Sequence, residues 1–427
     1  MNYRNALAWL YATQRFGIKL GLENIDRLLR WLGLANLQNP EIGCASRAIS
    51  GSSLESLSSY HIIHVAGTNG KGSVCAMIDA ISRAASHRTG VFTSPHLISF
   101  RERIRVNGEM ISEHEIACGL TKIRELVSRW EPHPTFFEIV TALALQHFQK
   151  ACCQIVVLET GMGGRLDATN AVASNVSVIT PIDFDHEKWL GHSIAQIARE
   201  KAGIIKPGVP VVSAPQREEA EITIKQRARK CGAPLQFINQ PWTKTKISLP
   251  GQHQKMNAAV AVASLHATAI SIPEDAIARG LESVEWPARF QTWDKQTVID
   301  GAHNPAAAKL LAQTWHEQFG DDRATILLAI LRDKNVAEIV EALAPIATKF
   351  ILPQIRSERA LPPAELVEVI SSVNPPLPCS ISASVAHALA IARREKNRIL
   401  ITGSLHFAGE ALAILRGEPN ALEDCAQ

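Results

Sequence analysis

The stretch His64-Val65-Ala66-Gly67-Thr68-Asn69-Gly70-Lys71-Gly72-Ser73-Val74 decides how the first half of this chain folds. Ile62, Ile63, His64 and Val65 make an apolar, β-branched run of strand length that stops at Ala66, and a helix is expected to open at Ser73-Val74. Between them, the glycines at 67, 70 and 72 allow backbone N–H groups to converge into a nest at a helix N-terminus, which is an arrangement suited to phosphate. Lys71 can neutralise β- and γ-phosphates, and the Ser73 hydroxyl can sit on a magnesium ion that bridges them. Gly67, Thr68, Asn69, Gly70, Lys71, Gly72 and Ser73 are therefore read as a phosphate loop, with ATP as the expected nucleotide. Strict Walker spacing would require glycine at 65 and serine or threonine at 72, where this chain has Val65 and Gly72. The loop alone leaves kinase, hydrolase and ligase open.

Outward from the loop, apolar β-branched runs alternate with helix-length amphipathic stretches. Gln154–Leu158 precedes a second glycine-rich segment and Val176–Ile179 follows it, a rhythm that predicts a largely parallel α/β sheet. The pattern breaks near Glu285–Phe290 and restarts at Thr297–Asp300, continuing through Thr325–Leu328, Lys349–Leu352 and Arg398–Ile401. A chain of 427 residues exceeds the size at which a single core stops growing, so two domains are expected. The fold class is α/β: an N-terminal P-loop domain over residues 1–290, with a mostly parallel sheet flanked by helices, and a smaller Rossmann-like α/β C-terminal domain over residues 291–427. Ser46 to Ser59, rich in serine and glycine, reads as a surface loop.

Composition narrows the remaining classes. An apolar fraction of 46% with 20% charged residues is that of an ordinary globular protein, and no run of apolar residues is long enough to span a bilayer. The opening segment MNYRNALAWLYATQRFG lacks the apolar core of a secretion signal, so a cytoplasmic location is expected. A net charge of +3 without a long Lys/Arg block gives no footprint for nucleic acid, and no membrane partner is expected. Eight scattered cysteines without a Cys-x-x-Cys pair argue against a disulfide framework or zinc knuckle.

The loop HVAGTNGKGSV (64–74) resembles the signature of the folylpolyglutamate synthase/dihydrofolate synthase family, a branch of the ATP-dependent Mur-type amide ligases. LETGMGGRLDATN (158–170), DFDHEKWLG (183–191), IAREKAGIIKPG (197–208), GQHQKMNAAVA (251–261), WPARF (286–290), DGAHNP (300–305) and GSLHFAGE (403–410) resemble further family motifs in the family's order. The resemblance implies an enzyme that activates a carboxylate with ATP as an acyl phosphate and joins it to the amine of L-glutamate. The acceptor would be dihydropteroate, a tetrahydrofolate glutamate, or both. It implies that Ser73, Glu159 and His186 bind magnesium, and that Lys201, in a helix predicted over Ile197–Ala202, is carbamylated and holds a second magnesium. A carbamate needs a neutral amine, so the site would have to depress the lysine pKa from about 10.4.

The resemblance also implies ATP contacts from Asn257 (adenine), Arg289 (phosphates) and Asp300 (ribose), with His303 and Ser404 near the incoming glutamate. Lys71, Lys201 and His303 are the expected catalytic residues. On the acceptor side, Thr93-Ser94-Pro95-His96-Leu97 and Arg101-Glu102-Arg103-Ile104 resemble the family's folate-side loops and Phe136-Phe137-Glu138 a further family segment, whose aromatic and glutamate would suit a flat pterin through stacking and paired hydrogen bonds. A monovalent cation, two magnesium sites and a monomeric state complete the expectation. The chain departs from the family's pattern at Ala288, where glycine is usual, so the backbone there must avoid a positive φ or tolerate strain. Asn335 replaces a common aspartate, and His406 an aromatic. Residues read without the resemblance leave bland alternatives: a loop cluster for Asp183, Asp185 and His186, a solvated helix face for Lys201, core packing for Phe137. Two other functions also stay open, a Mur-type peptidoglycan-precursor ligase and a non-catalytic ATP-responsive folate-binding module.

Overall fold

A computed structural model describes residues 1–37 except 18 and 20, residues 60–372 and residues 377–423. The serine-rich stretch Ser46 to Ser59 lies outside the described residues. Two sheets organise the described residues. The first has eight strands in the order β4-β3-β2-β5-β1-β6-β7-β8: β1 His61–Ala66, β2 Thr89–Phe92, β3 Ile104–Val106, β4 Glu109–Met110, β5 Ile155–Glu159, β6 Val176–Ile179, β7 Val211–Ser213 and β8 Leu235–Phe237. All pairings are parallel except β2–β3 and β3–β4.

The runs that read as continuous apolar strands are buried on both faces. Ile62, Val156 and Leu158 join the cluster on one side, and Ile63, Val65, Ile155 and Val157 the cluster on the other. This is the two-sided burial that a parallel sheet with helices on each face demands. The helices Tyr3–Ala12, Glu23–Trp31, Glu113–Val127 and Phe136–Lys150 supply the first cluster; Lys71–Ala84, Gln252–His266 and Glu274–Ser283 supply the second. β2, β7 and β8 were not singled out from the sequence; each is only three or four residues long, too short to show a period by itself.

The second sheet has the order β13-β12-β11-β14-β10-β9: β9 Gln291–Thr292, β10 Thr297–Ile299, β11 Ala324–Leu328, β12 Ala347–Pro353, β13 Cys379–Ser382 and β14 Arg398–Thr402. Only the β9–β10 pairing in it is antiparallel. Its two faces are covered by separate apolar clusters, one centred on Trp315 and Phe350, the other on Phe407 and Leu412. The chain thus has the expected α/β architecture of a mostly parallel first sheet followed by a second α/β unit. In the first sheet the chain leaves β5, crosses over β1 and continues as β6, so β1 marks the switch point where ligands of such sheets bind at the carboxyl ends of the strands.

Candidate active site

Three neighbouring strands deliver the site. The carboxyl end of β1 gives Gly67–Ser73, that of β5 gives Glu159, and that of β2 gives Thr93–Leu97. The helix after the phosphate loop opens at Lys71, two residues before the expected start, with Gly70 as its N-cap at φ 90°. Gly67, at φ 148°, lies against Thr180, whose hydroxyl would fall 1.9 Å from any Cβ there. The loop is stapled to the turn after β6. Thr68 and Asn69 amides donate to Pro181 O at 2.9 and 3.2 Å, and the Thr68 hydroxyl donates to Asp183 O at 3.0 Å. Lys71 Nζ donates to the carbonyls of Gly67 and Thr68, both at 3.2 Å, so it lies over the cradle it is expected to serve.

Gly72 has a specific neighbour. A Cβ at this position would stand 2.7 Å from Trp286 Nε1, in the linker segment before β9. The glycine that breaks the Walker spacing is thus the residue that lets the linker's indole lie on the loop helix. The same linker carries Arg289 between two left-handed residues, Ala288 at φ 56° and Phe290 at φ 45°. Of the two outcomes open for Ala288, strain is the one observed: a non-glycine residue held in this region by its surroundings. Asp300 helps hold it there, accepting the Phe290 amide at 2.7 Å and the Ala302 amide at 2.8 Å. Burial raises the Asp300 carboxyl, with Arg289 opposing.

Gly72, Thr93, Ser94, Pro95, Glu159, Trp286, Arg289 and Leu405 line one cleft between the two sheets. Glu159 is buried there, and its Oε2 accepts the Ser94 amide at 3.2 Å. Burial pushes its carboxyl up, while Lys71, the Ser94 amide, Arg289 and Arg103 pull it back down. A hard cation beside it would restore the carboxylate. Ser73, also buried, receives Gln254 Nε2 at 3.4 Å, and a Cβ on Gly70 would meet Asn257 Oδ1 at 2.8 Å. The helix Gln252–His266 therefore rests on the phosphate loop through Gln254 and Asn257. Among the described residues no three His, Cys, Asp or Glu side chains converge as a ready metal cage. Magnesium is usually held by few protein groups together with phosphate oxygens and water, so a site without a ready protein cage does not disfavour it.

Lys201 ends the helix Ile194–Lys201 and is 3% exposed, not solvated. Its Nζ donates to Gly67 O at 2.7 Å. Burial, then the charge of Lys71, lower its pKa to about 7. The neutral amine that carbamylation requires is accessible near neutral pH. His186, the left-handed N-cap of Glu187–Leu190, keeps 34% of its side chain accessible. Its largely buried setting, helped by the charges of Lys334, Lys201 and Lys71, holds its pKa down to about 4 against the pull of Asp185.

Asp185, which the sequence offered only as part of a polar loop cluster, sits at a junction between the two units. It receives Lys334 Nζ at 2.6 Å and Asn304 Nδ2 at 3.5 Å from the second α/β unit, and stands 3.7 Å from His303 Nε2 and 4.0 Å from His186 Nε2. Burial works to raise its carboxyl, but His303, His186 and Lys334 outweigh it and hold it far below the usual range. Asn69 and Asn304 close the contact with reciprocal amide bonds of 3.0 and 3.3 Å. His303 Nδ1 pairs with Gly301 O at 2.8 Å. The Asp-Phe-Asp-His string was the one available signal, and nothing in it marks Lys334 as a partner.

Two family models match the chain: the Mur ligase middle domain over residues 65–265, and the Mur ligase, glutamate ligase domain over residues 288–405. A dihydrofolate synthase/folylpolyglutamate synthase of Bacillus subtilis is 31% identical over 96% of this chain and 98% of its own. The chain belongs to the dihydrofolate synthase/folylpolyglutamate synthase family. As a member it is an ATP-dependent carboxylate–amine ligase of the Mur type. An Escherichia coli FolC structure in complex with DHPP and ADP superposes with a TM-score of 0.83 at 29% identity, covering 96% of this chain and 98% of that one. A bifunctional folylpolyglutamate synthase/dihydrofolate synthase with Mn, AMPPNP and L-glutamate bound gives 0.81 at 29% identity, covering 96% and 98%.

Other expected family positions have structural duties of their own. Glu138 Oε2 accepts the Thr135 amide and hydroxyl at 2.7 and 2.8 Å, a capping box for the helix Phe136–Lys150. Ser404 Oγ caps Leu405–Leu415 by accepting the Phe407 amide at 3.2 Å. Buried His96 accepts Arg103 Nε at 2.9 Å, and Phe137 lies 5.7 Å from Phe92 under Gly161. His406 sits beside Arg359, Arg103 and His303; burial, then those charges, lower its pKa to about 4.

Proposed function

We propose that this chain phosphorylates the carboxylate of dihydropteroate, or the γ-carboxylate of a tetrahydrofolate glutamate, and lets the amine of L-glutamate attack the acyl phosphate. A carboxylate oxygen attacks the γ-phosphorus and ADP leaves. The glutamate nitrogen then bonds to the acyl carbon, phosphate leaves, and the amine proton is lost. One observation carries this reading: a single cleft is lined by the phosphate-loop glycine Gly72, Glu159, the acceptor loop Thr93–Pro95, and Trp286, Arg289 and Leu405 from the linker and second unit. Such a cleft can hold a phosphoryl donor, an acid and an amine together, so that catalysis is chiefly positioning and charge neutralisation.

In this reading Gly67–Ser73, Lys71, Asn257, Arg289 and Asp300 hold ATP, with residues 1–290 carrying its phosphates and residues 291–427 the glutamate. Ser73, Glu159 and His186 hold magnesium and Lys201, once carbamylated, a second ion; these would neutralise charge on the phosphates. Buried hard oxygen donors and the lowered pKa of Lys201 support that assignment. Thr93, Ser94, Pro95, His96, Phe137 and Glu138 face or frame the acceptor, the last by capping its helix. His303 and Ser404 serve the glutamate, with His303 tied to Asp185. The reading includes a monovalent cation and a monomeric cytoplasmic enzyme; among the described residues no helix is long and apolar enough to cross a membrane.

The test offers dihydropteroate and tetrahydrofolate separately with ATP, magnesium and glutamate, and weighs the products by mass spectrometry. Each acceptor should gain one glutamyl residue with matching ADP release. ADP release independent of acceptor and glutamate would overturn the proposal.

A further inference from the structure

The acceptor loop, Thr93 to Arg103, leaves the sheet at β2 and returns to it at β3. Amides outside a ladder need partners of another kind. From Leu97 to Phe100, two carboxylates supply them. Glu102, within the loop, accepts the amides of Leu97, Ile98 and Ser99 at 2.8, 3.0 and 3.0 Å. Glu423 comes from 323 residues downstream of Phe100 and takes the next amide, Phe100 N, on Oε2 at 2.5 Å, together with the Ser99 hydroxyl at 3.2 Å. Its own amide donates to Ile98 O at 2.8 Å, and the Tyr3 hydroxyl donates to its Oε1 at 2.8 Å.

The second α/β unit grips the same loop by packing. Leu97 O would lie 2.0 Å from a Cβ on Gly409, so that carbonyl rests directly on the helix Leu405–Leu415. Ile98 is buried in the cluster built by Ile299, Leu327, Phe407 and Leu412, and Leu422, next to Glu423, packs on that cluster too. The loop therefore belongs to the first sheet by sequence and to the second unit by contact. Thr93, Ser94 and Pro95, its cleft-facing start, are only a few residues from the clamp, and the Ser94 amide is bonded to Glu159.

From this geometry we infer that Glu423 is a positioning residue for the acceptor substrate. Holding Ile98, Ser99 and Phe100, it sets where Thr93–Pro95 stand in the cleft, and so makes acceptor binding depend on the glutamate-ligase half of the chain. The inference rests on the proposed acceptor side of the cleft. Glu423 touches no reacting group.

The experiment uses the full chain with Glu423→Ala, Glu423→Gln and Tyr3→Phe. Acceptor, ATP and glutamate are varied in turn, and amide hydrogen exchange is followed over residues 94–100. Removing a charge-assisted clamp should raise the acceptor KM on the order of tenfold in Glu423→Ala. Glu423→Gln, which keeps one acceptor oxygen, should recover part of that, and Tyr3→Phe should shift it least. The KM for ATP should stay within about twofold, and exchange at Ile98–Phe100 should speed up. An equal rise in every KM, or a fall in kcat with the acceptor KM unchanged, would overturn the inference. Unchanged exchange in the loop would overturn it as well, whatever the acceptor. Lack of wild-type turnover on either acceptor strikes the functional reading instead, and loop exchange then decides the inference alone. Should Glu423→Ala not fold, Tyr3→Phe is judged by the same criteria.

Discussion

The phosphate loop and the acceptor loop leave the same sheet two strands apart and meet in one cleft, yet they are held by different means. The phosphate loop takes its shape locally, from positive-φ glycines and a helix that starts inside the motif, and is then pinned by backbone bonds to the turn after β6 and by contacts with Trp286 and Asn304. The acceptor loop is fixed at long range, by Glu423, Gly409 and the apolar cluster of the second unit. Under the proposed function, a loop that positions the acceptor gains from being held by the half assigned to the glutamate. The two halves also meet through Asp185, whose Lys334 bond at 2.6 Å crosses between them beside His186. A buried charge of this kind cannot lose its partner cheaply.

The comparison breaks most severely at the phosphate loop. Lys71→Ala and Glu159→Ala should each lower kcat by at least roughly a thousandfold, as expected for charge-neutralising groups at a phosphoryl centre, with unchanged circular dichroism. Near-normal turnover in either would refute the metal–phosphate assignment. Gly409→Ala should act on the other loop: its methyl must displace the Leu97 carbonyl, raising the acceptor KM on the order of tenfold or more while the ATP KM holds. A uniform loss would mean that the two loops are not independently held.

Lys201 gives a pH test. Its folded pKa of about 7 lies below its unfolded value near 10.5, so between these values the unfolded chain binds more protons and stability rises with pH. The burial penalty is whole below pH 7 and shrinks by about 1.4 kcal/mol per unit above it. Lys201→Met should therefore be stabilising, or least destabilising, at pH 6 relative to wild type, and lose more than half of that advantage by pH 9. A difference in unfolding free energy that does not change with pH would show that the amine is not held as described.

The smallest effect is expected at the linker. Ala288→Gly relieves a left-handed alanine, worth about 1–2 kcal/mol, but removes a buried methyl worth about 0.8 kcal/mol. A rise of about one degree in Tm with unaltered kinetics is the expected result, and a marked fall would show that packing at Ala288, not strain, dominates.

How much was legible follows the same division. The strands His61–Ala66 and Ile155–Glu159 and the phosphate loop could be read because each is a contiguous pattern of apolar run, glycine and lysine. Capping duties were as local as these, yet the Thr135–Glu138 box was missed as a cap because the glutamate had been weighed for a ligand. Lys201 showed the reverse error open to composition: a helical lysine reads as solvated until packing places it, and here it is 3% exposed against the loop. Asp185 with Lys334, and Glu423 with Phe100, join residues 149 and 323 positions apart, and no spacing rule reaches that far.

What the sequence determined by itself was therefore the nucleotide end of this protein: two α/β halves, a phosphate cradle and, through ordered motifs, the ligase family. What only the tertiary structure decided was how the halves are joined: why position 72 must be glycine beneath Trp286, which groups surround Asp185, and what holds the acceptor loop. The physical reason is range. Dihedral freedom, strand burial and helix capping act between residues close along the chain, whereas pKa shifts, close backbone approaches and charge pairs depend on what folding brings within a few ångströms.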